Sequence, residues 1–399
     1  MKKLLTMLLL SVFLLSACSA GNPLGVDSSG LEPFVIGGIA PLTEDFSAYG
    51  ISAKNGAQLA VSEINATGGV NGFRLVLNFQ DSKADGERAL TVYEKLKNNE
   101  MSVLLGGIFS RETEALAAAA SRDGLLMLTP SSGKKSALGD GGTVFRLCTD
   151  NLRLGSTAAN TVADRNPGAS VGVFYLEGDE ESEELAQTFE DACALRELSA
   201  TPIPLPPQPA PVTKEKLSTD TNLSTDEGEE TVSPLPDLGE YDLIFLALSP
   251  KETRTFLQLY PEITTPLMIC SVPDKTDLPD GTVVISSYLP GDTSVLAQNF
   301  AQAYKEAFRT EPDRYAADAY DSVYALAEAI RRAGITPSNL GERDTKGKLI
   351  DAMTRIDVQG IAGAIAWTTD GETTRPPVVK IYREGTYRTF EEEENRENP

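Results

Sequence analysis

Short continuous runs of apolar residues alternate along the chain with segments in which apolar residues recur every three or four positions. The first run is Phe34–Ala40, and a second strand begins at Arg74–Asp81. Between them lies an apolar stripe from Ala53 to Ile64, and Gly68-Gly69 ends it. A continuous run is typical of a strand buried on both faces, and the stripe indicates an amphipathic helix. This order predicts a βαβ unit with parallel strands and a right-handed crossover.

The same alternation continues over most of the chain. The apolar runs predict further strands at Val103–Gly106, Leu125–Leu128, Val144–Leu147, Val171–Tyr175, Asp242–Leu248, Leu267–Cys270, Val283–Ser286, Ile361–Trp367 and Val378–Arg383. The helical spacings predict helices near residues 89–96, 111–121, 154–163, 182–193, 251–259, 296–308, 316–330 and 345–356. Strands that alternate with helices in this way specify an α/β fold with helices on both faces of the sheet.

Two segments depart from the alternation. Residues 199–238 are rich in Pro, Thr, Ser and acidic residues and hold few large apolar ones, a composition that disfavours ordered packing. We expect at most a short strand near Ile203–Leu205, with the rest either a surface insertion or the place of a missing helix. Residues 391–399 form an acidic tail that we expect to be disordered.

Composition excludes several classes of function. The chain has 399 residues and a formal net charge of −23, whereas nucleic-acid binding needs clustered Lys and Arg. It contains no histidine, which excludes imidazole metal ligands, histidine general bases and a Ser-His-Asp triad. We therefore expect no enzyme activity, no cofactor, no metal and no nucleic-acid partner.

Three of the four cysteines lie in or beside apolar segments. Cys148, Cys193 and Cys270 are far apart in sequence and show no CxxC spacing, so a zinc or redox site is not expected. Buried free thiols are the expectation. A Cys148–Cys193 bridge remains the alternative.

The N-terminus has the layout of a secretory signal. Lys2 and Lys3 precede the apolar stretch Leu4–Leu15, which is too short to span a membrane. The segment Leu15–Cys18 resembles a bacterial lipobox, which implies a lipoprotein signal peptide at residues 1–17 and acylation of Cys18. Residues 18–33 would then tether the protein to the cell envelope, on its periplasmic face or the cell surface. The alternative is an ordinary signal peptide with an incidental cysteine.

Several motifs together resemble the Leu/Ile/Val-binding protein family, the type I periplasmic binding proteins. They are PLT…YG…GAQLAVSEINATGGVNG, LLGGIFSRET, LMLTPSS, AADAYDSVYALAEAIRRAG and GIAGAIAWTTDGE, spread over roughly Phe34–Tyr387. The resemblance implies two Rossmann-like lobes joined by a three-crossover hinge, with a ligand cleft between them. Carried over, lobe I is residues 34–148 plus 290–360, and lobe II is residues 149–289 plus 361–390.

Two loops of lobe I are candidates for binding an acidic group. Ser110 precedes the helix at Arg111 as its expected N-cap, and a helix N-terminus favours anions. The resemblance implies that Ser110 binds the ligand's α-carboxylate, although a purely structural cap is the alternative. It also implies a second binding loop at Ser131, Ser132 and Gly133, where glycine stands in place of the family's threonine.

Partners for a ligand ammonium group are less clear. The resemblance implies that Asp150 matches an acid that some amino-acid-binding relatives use, and a hinge or capping role is the alternative. Glu181 is a possible replacement for a family residue that is absent here. Tyr49 matches a commonly aromatic position beside the cleft and could instead serve in packing.

The resemblance implies a solute-binding lipoprotein that passes a small molecule to an ABC permease. Loss of the family's ammonium partners predicts an amino-acid-like or carboxylate-bearing ligand other than a simple branched-chain amino acid, since losing a buried charged contact costs about 2–5 kcal/mol. The alternative is an envelope regulatory lipoprotein of the same fold, which resembles penicillin-binding-protein activators and acts through protein contacts.

Overall fold

The computed structural model describes residues 30–206, 236–273 and 277–397. The predicted signal peptide, Cys18 and the tether as far as residue 29 lie outside the described residues, as do residues 207–235 of the predicted insertion. In the described ranges, no helix is both long and apolar enough to cross a membrane.

Fourteen strands are found in the described part of the chain. In chain order they are β1 Glu32–Ala40, β2 Phe73–Asp81, β3 Val103–Gly106, β4 Met127–Thr129, β5 Val144–Arg146, β6 Ser170–Leu176, β7 Ser199–Leu205, β8 Leu243–Ala247, β9 Leu267–Ile269, β10 Val283–Ser286, β11 Asp357–Gly360, β12 Gly363–Ala366, β13 Val378–Arg383 and β14 Thr386–Arg388.

Ten α-helices accompany them within the same described ranges. They are α1 Ser47–Ala66, α2 Gly86–Asn98, α3 Ser110–Asp123, α4 Asn151–Arg165, α5 Glu180–Ala194, α6 Pro250–Leu259, α7 Val295–Phe308, α8 Arg314–Ala333, α9 Thr345–Met353 and α10 Phe390–Glu397.

The strands form two main sheets. The first has the order β2-β1-β3-β4-β5, and its neighbouring strands are parallel. The second has the order β14-β13-β10-β9-β8-β6-β7, in which β13 and β14 pair antiparallel at one side. Strands β11 and β12 form a separate hairpin. Buried apolar clusters lie on both faces of each sheet, which is why the central strands are apolar throughout.

The chain passes between the two halves three times. It leaves the first sheet after β5 and builds the second sheet from β6 to β10. Helices α7, α8 and α9 then return to the first half, where their apolar faces join the same buried cluster as α1 and β1. After the β11–β12 hairpin, β13 pairs with β10 in the second sheet. The predicted two-lobed α/β fold with a three-crossover hinge is confirmed.

The short strand expected near Ile203–Leu205 is present, and the structure corrects its length because it begins at Ser199. Residues 199–205 form β7, the edge strand of the second sheet, and pair in parallel with β6 along their full length. Pro202 and Pro204 are compatible with this position because an edge strand has a partner on one side only. Ile203 and Leu205 pack against the apolar cluster beneath.

The acidic C-terminus is also more ordered than its composition suggested. Residues 390–397 form α10 instead of a disordered tail. The helix begins with a reciprocal capping pair: the Glu392 amide donates to the Thr389 hydroxyl, and the Thr389 amide donates to the Glu392 carboxylate. The Arg165 guanidinium lies 4.0 Å from the centre of the Phe390 ring and pairs with Glu394. The prediction of a disordered tail was wrong because it considered only the acidic composition and not the capping hydrogen bonds.

The three described cysteines match the expectation of buried thiols. Cys148, Cys193 and Cys270 are all buried and free. Burial raises the pKa of each thiol to about 12, so all three remain protonated near neutral pH.

Candidate functional site

A cavity of about 540 Å³ lies where the two lobes face each other. Its walls come from segments that follow the carboxyl ends of parallel strands, the usual place for a ligand in an open α/β sheet. From lobe I these segments follow all five strands of the first sheet, β1 to β5, and from lobe II they follow β6, β8, β9 and β10. The start of α8 completes the lining with Arg314 and Tyr315.

The turn before α3 is fixed by a buried carboxylate. The backbone amides of Ile108 and Phe109 donate to Glu112 Oε1, at 2.6 and 3.2 Å. Burial raises the pKa of Glu112 even though these hydrogen bonds oppose the shift. Phe109 holds the N-cap position and Ser110 is the first helical residue, which corrects the prediction that Ser110 is the cap.

The hydroxyl of Ser110 is instead used inside the cavity. Ser110 Oγ lies 2.9 Å from Ser132 Oγ and 3.0 Å from Glu181 Oε2. Glu181 belongs to α5 in the opposite lobe and also accepts a hydrogen bond from the backbone amide of Gly133. Burial raises the pKa of Glu181, while these hydrogen bonds act to lower it. The Glu181 carboxylate of lobe II therefore accepts hydrogen bonds from both candidate anion-binding loops of lobe I, through Ser110 and Gly133.

Gly133 has a steric reason to lack a side chain. An added Cβ would lie 2.6 Å from Asn151 Oδ1 and 3.5 Å from Glu181 Oε1. The backbone N–H of Asn151 donates to the backbone oxygen of Gly133 at 2.9 Å, and this hydrogen bond joins the loop to the start of α4. The position where the family's threonine was expected is thus closely packed.

Further polar contacts join the lobes at the mouth of the cavity. Lys134 pairs with Glu114 of its own lobe at 3.0 Å and with Glu180 of the other lobe. Glu184 accepts from the Lys135 amide at 3.2 Å and from Asn151 Nδ2 at 2.9 Å. The two lobes are therefore in contact, and the cavity lies between them in a closed arrangement.

Arg314 is one of three basic residues in the lining, together with Arg111 and Lys134. It is the first residue of α8, whose N-terminus Asp313 caps by accepting from the Ala316 amide at 2.9 Å. The guanidinium lies 4.2 Å from the centre of the Tyr315 ring and donates to Tyr315 Oη at 2.9 Å. Burial alone would lower the pKa of Arg314, but Tyr315 and the nearby acidic groups, including Glu181, raise it overall. The side chain therefore remains charged.

Three hydroxyl groups in the lining are buried without hydrogen-bond partners among the described residues. They are Ser131 Oγ, Thr149 Oγ1 and Ser286 Oγ. Leaving such a group unpaired costs about 1–3 kcal/mol, so hydroxyls of this kind favour a polar guest that can pair with them.

The structure brings together four of the sequence-predicted site residues. Ser110, Ser131, Gly133 and Glu181 all line the cavity. Ser132 does not line the cavity itself. It is fully buried, and its hydroxyl forms a hydrogen bond with the Ser110 hydroxyl. The structure does not describe Cys18.

Two other predicted residues lie outside the lining. Asp150 caps α4 by accepting from the Arg153 amide at 2.8 Å and pairs with the Arg153 side chain at 2.7 Å, which favours the capping alternative. Tyr49 is buried behind the lining and packs on Phe109 and Tyr315, with ring centres 5.7 and 5.0 Å apart. This geometry favours the packing alternative for Tyr49.

Sequence reasoning missed Arg314, Thr149 and Ser286. Thr149 directly follows Cys148 at the end of a predicted strand, so its position offered a signal that went unused. Asp313 before a long helix could have marked Arg314 as a first-turn residue. The resemblance had assigned this helix to lobe I, but it did not show that the first residue of the helix lines the cavity.

Comparisons with known proteins agree with this architecture. The family model described as "Periplasmic binding protein" matches residues 33–205 and 271–382. The chain is 27% identical over 166 residues to the Leu/Ile/Val-binding protein homolog 3 of Brucella melitensis biotype 1, an alignment that covers 41% of this chain and 45% of that protein. The chain spans less than half the length of the first curated relatives it matches.

Solved structures show the same fold. An ABC transporter substrate-binding protein from Desulfitobacterium hafniense in complex with Leu is 22% identical, with a TM-score of 0.69 over 90% of this chain and 99% of the other. A solute-binding protein of R. palustris in complex with benzoate is 17% identical, with a TM-score of 0.71 over 90% and 95%. The chain belongs to the periplasmic binding protein family, as a type I member related to the Leu/Ile/Val-binding proteins.

Proposed function

We propose that this protein is an extracytoplasmic solute-binding lipoprotein that captures a small amino-acid-like or carboxylate-bearing ligand and delivers it to an ABC permease. The observation that carries the proposal is the cavity between the two lobes, whose lining includes a carboxylate, a guanidinium and unpaired hydroxyls. Acylation at Cys18 would hold the protein at the membrane.

The size and lining of the cavity support a small polar ligand. Its volume of about 540 Å³ falls within the range of about 300–1,000 Å³ typical of small-molecule sites. Phe109 and Leu248 contribute apolar surface, but Glu181 and Arg314 place opposite charges in the same space. A ligand with an acidic group and a short body matches this lining better than leucine, whose branched side chain offers no polar atom to the unpaired hydroxyls.

The relatives support a transport role over a regulatory one. The matched proteins are named as Leu/Ile/Val-binding proteins or as substrate-binding proteins of ABC transporters, and the ligands named with them are amino acids and benzoic acids. These ligands share a carboxylate, which agrees with the proposed class.

A thermal-shift screen of amino acids, amides, short-chain acids and peptides tests the proposal. A ligand at 100 times its Kd stabilises the folded protein by about 2.7 kcal/mol, which raises the melting temperature measurably. Glu181→Ala should lose the shift because it removes a charged group of the cavity, while the matched change Glu87→Ala at an exposed site on α2 should keep it.

Two results would contradict the proposal. If none of these compounds raised the melting temperature, the ligand class would be wrong. Calorimetry showing submicromolar leucine binding would contradict the exclusion of simple branched-chain amino acids.

A further inference from the structure

We propose that Arg146 and Glu372, neither of which lines the cavity, are positioning residues for closure of the two lobes. The Arg146 side chain orients two peptide groups in the loop of residues 130–135, so that their N–H groups point at carboxylates of lobe II. Glu372 holds the Arg146 guanidinium in place. This role rests on the proposed function, in which the lobes close on a ligand, and it assigns part of that closure to residues outside the cavity.

The side chain of Arg146 binds the back of the loop. Arg146 belongs to β5 and is fully buried. Its Nη1 donates to the Ser132 carbonyl at 2.9 Å, and its Nη2 donates to the Lys134 carbonyl at 3.0 Å. The planar guanidinium, with its fixed arrangement of donors, therefore holds two carbonyl groups of the loop at once.

The direction of the Ser132 carbonyl determines the direction of the next N–H group. In a planar trans peptide group, the C=O and N–H bonds point in opposite directions. Because the Ser132 carbonyl points at Arg146, the Gly133 N–H points away from the guanidinium. It donates to the Glu181 carboxylate of lobe II. Arg146 thus orients a donor that it does not touch.

The same reasoning applies to the second peptide group. The Lys134 carbonyl also points at the guanidinium, so the Lys135 N–H points away from it and donates to Glu184 of lobe II at 3.2 Å. Between these two groups, the Gly133 carbonyl accepts from the Asn151 N–H of lobe II at 2.9 Å. Successive carbonyl groups of the loop therefore face the guanidinium and lobe II in turn, and three backbone groups join the lobes.

Glu372 is brought to Arg146 by a turn that lies along β5. The Arg146 N–H donates to the Gly371 carbonyl at 2.9 Å, and Trp367 Nε1 donates to the Arg146 carbonyl at 2.7 Å. Position 371 requires glycine, because its φ is 84° and an added Cβ would lie 2.2 Å from the backbone oxygen of Val144. The turn is therefore fixed to β5 without help from the Glu372 side chain.

The charge of Arg146 is balanced by Glu372. Arg146 Nη2 lies 3.1 Å from Glu372 Oε1, and no other carboxylate in the described ranges forms an ion pair with this guanidinium. A buried charge that loses its partner is strongly disfavoured, so Glu372 keeps the guanidinium in its site. Glu372 Oε2 lies 3.9 Å from Nη2 of Arg153, a lobe II residue that is also paired with Asp150. Glu372 therefore lies between an arginine of each lobe.

Hydrogen–deuterium exchange on the full-length protein in detergent, without ligand, tests this role. The reporters are the amides of Gly133, Lys135 and Asn151, each of which donates to an acceptor in the other lobe. The double variant Arg146→Met/Glu372→Gln removes the guanidinium and its charged partner together, so neither is left buried alone. We expect the three amides to exchange at least about tenfold faster than in the wild type, because nothing then orients the loop.

The tryptophan separates positioning from a loss of structure. Trp367 is the single tryptophan of the chain and is buried in the same turn, so its fluorescence reports whether the turn stays on β5. Glu372→Gln keeps the shape of the side chain and should speed exchange of the three amides while Trp367 emission stays unchanged. Asp370→Asn, an exposed change in the same turn, is the matched control and should alter neither reading. Arg146→Lys keeps the charge but not the planar donor set, so its exchange rates should lie between those of the wild type and the double variant.

Three results would overturn this role. They are wild-type exchange rates at Gly133, Lys135 and Asn151 in the double variant, unprotected exchange of these amides in the wild type, and a red shift of Trp367 emission in Glu372→Gln, which would mean that the turn itself had detached. Because no ligand is used, each of these results leaves the proposed function standing. A thermal-shift screen in which no compound binds would contradict the proposed function and leave the exchange rates to decide the roles of Arg146 and Glu372.

Discussion

Arg375 is buried between two carboxylates at the hinge. Its guanidinium lies 2.5 Å from Asp318 Oδ1 and 3.0 Å from Asp321 Oδ2, and all three side chains are fully enclosed. The Ser287 hydroxyl donates to Asp318, and the Ile361 amide donates to Asp321. Because Ser287, Ile361 and Arg375 belong to segments that pass between the lobes, this cluster joins two of the crossings to α8.

The cluster has two acids for one guanidinium, which predicts a pH-dependent stability. Burial raises the pKa of Asp321 from 3.8 to about 7. Between about pH 4 and 7 the folded protein keeps a proton that the unfolded chain has lost, so the free energy of unfolding decreases as pH rises through this window. Thermal unfolding of the wild type at pH 4.5–7.5 should therefore show a loss of stability with pH that Asp321→Asn does not share.

The exposed Asp357 provides the matched control for this experiment. Asp357→Asn should follow the wild-type pH dependence because its carboxylate is open to water. Parallel curves for the wild type and Asp321→Asn would show that the buried carboxyl does not hold the proton.

The residues of the candidate site were predictable to different degrees. Ser110, Ser131 and Gly133 lie in the segments after β3 and β4, so they were identified by the family resemblance together with the rule that ligands meet the carboxyl ends of strands. Glu181 was found only as a replacement for an absent family residue. Arg314 was missed although the resemblance had already assigned residues 290–360 to lobe I, because the sequence did not show that the first residue of α8 lines the cavity.

At the level of elements, helices α1 and α8 pack closely because of a glycine. An added Cβ at Gly56 would lie 2.0 Å from the backbone oxygen of Ala316. The contact is with the backbone of the other helix, so no side-chain rotation can relieve it. Since Ala316 lies two residues after Arg314, this packing also determines where the cationic group of the cavity lies.

Gly56→Ala should therefore destabilise the protein despite alanine's better helix propensity. We expect a net loss of about 1–3 kcal/mol in the free energy of unfolding by urea, because overpacking outweighs a propensity gain of about 1 kcal/mol. Gly347→Ala in α9 is the matched control: its added Cβ meets nothing within 4 Å, so it should be neutral or stabilising. An equal effect of the two substitutions would contradict the close-packing argument.

The elements themselves were largely predictable from hydrophobic periodicity. Strands such as β1 and β8 are buried on both faces and so appear as continuous apolar runs. The two errors in the predicted elements concern β7 and α10, where composition suggested disorder but local hydrogen bonds stabilise a strand and a helix. Pro202 and Pro204 obscured the full length of the edge strand β7, of which only residues 203–205 were predicted. The reciprocal cap at Thr389 and Glu392 before α10 was overlooked.

At the scale of the whole molecule, the contacts between the lobes are stronger at the hinge than at the mouth of the cavity. The hinge contains the buried Arg375 cluster, whereas Lys134 and Glu180 meet at the mouth where Glu180 is 76% exposed. Exposed ion pairs contribute at most about 1 kcal/mol each, so the mouth contacts can be exchanged with water at little cost. This arrangement suits a protein that opens about a fixed hinge and closes on a ligand.

Attachment to the envelope through Cys18 is a proposal about the whole molecule, and the charge of the protein makes it testable. With a formal net charge of −23, the protein is repelled by anionic lipid headgroups, so electrostatic adsorption cannot hold it at a membrane. Acyl chains on Cys18 would overcome this repulsion, because each buried CH₂ contributes about 0.8 kcal/mol. Cys18→Ala should therefore move the protein from the membrane fraction to the soluble fraction and abolish metabolic labelling by a fatty-acid analogue. Ser28→Ala in the tether should leave both unchanged, and a Cys18→Ala protein that stayed labelled and membrane-bound would refute the anchor.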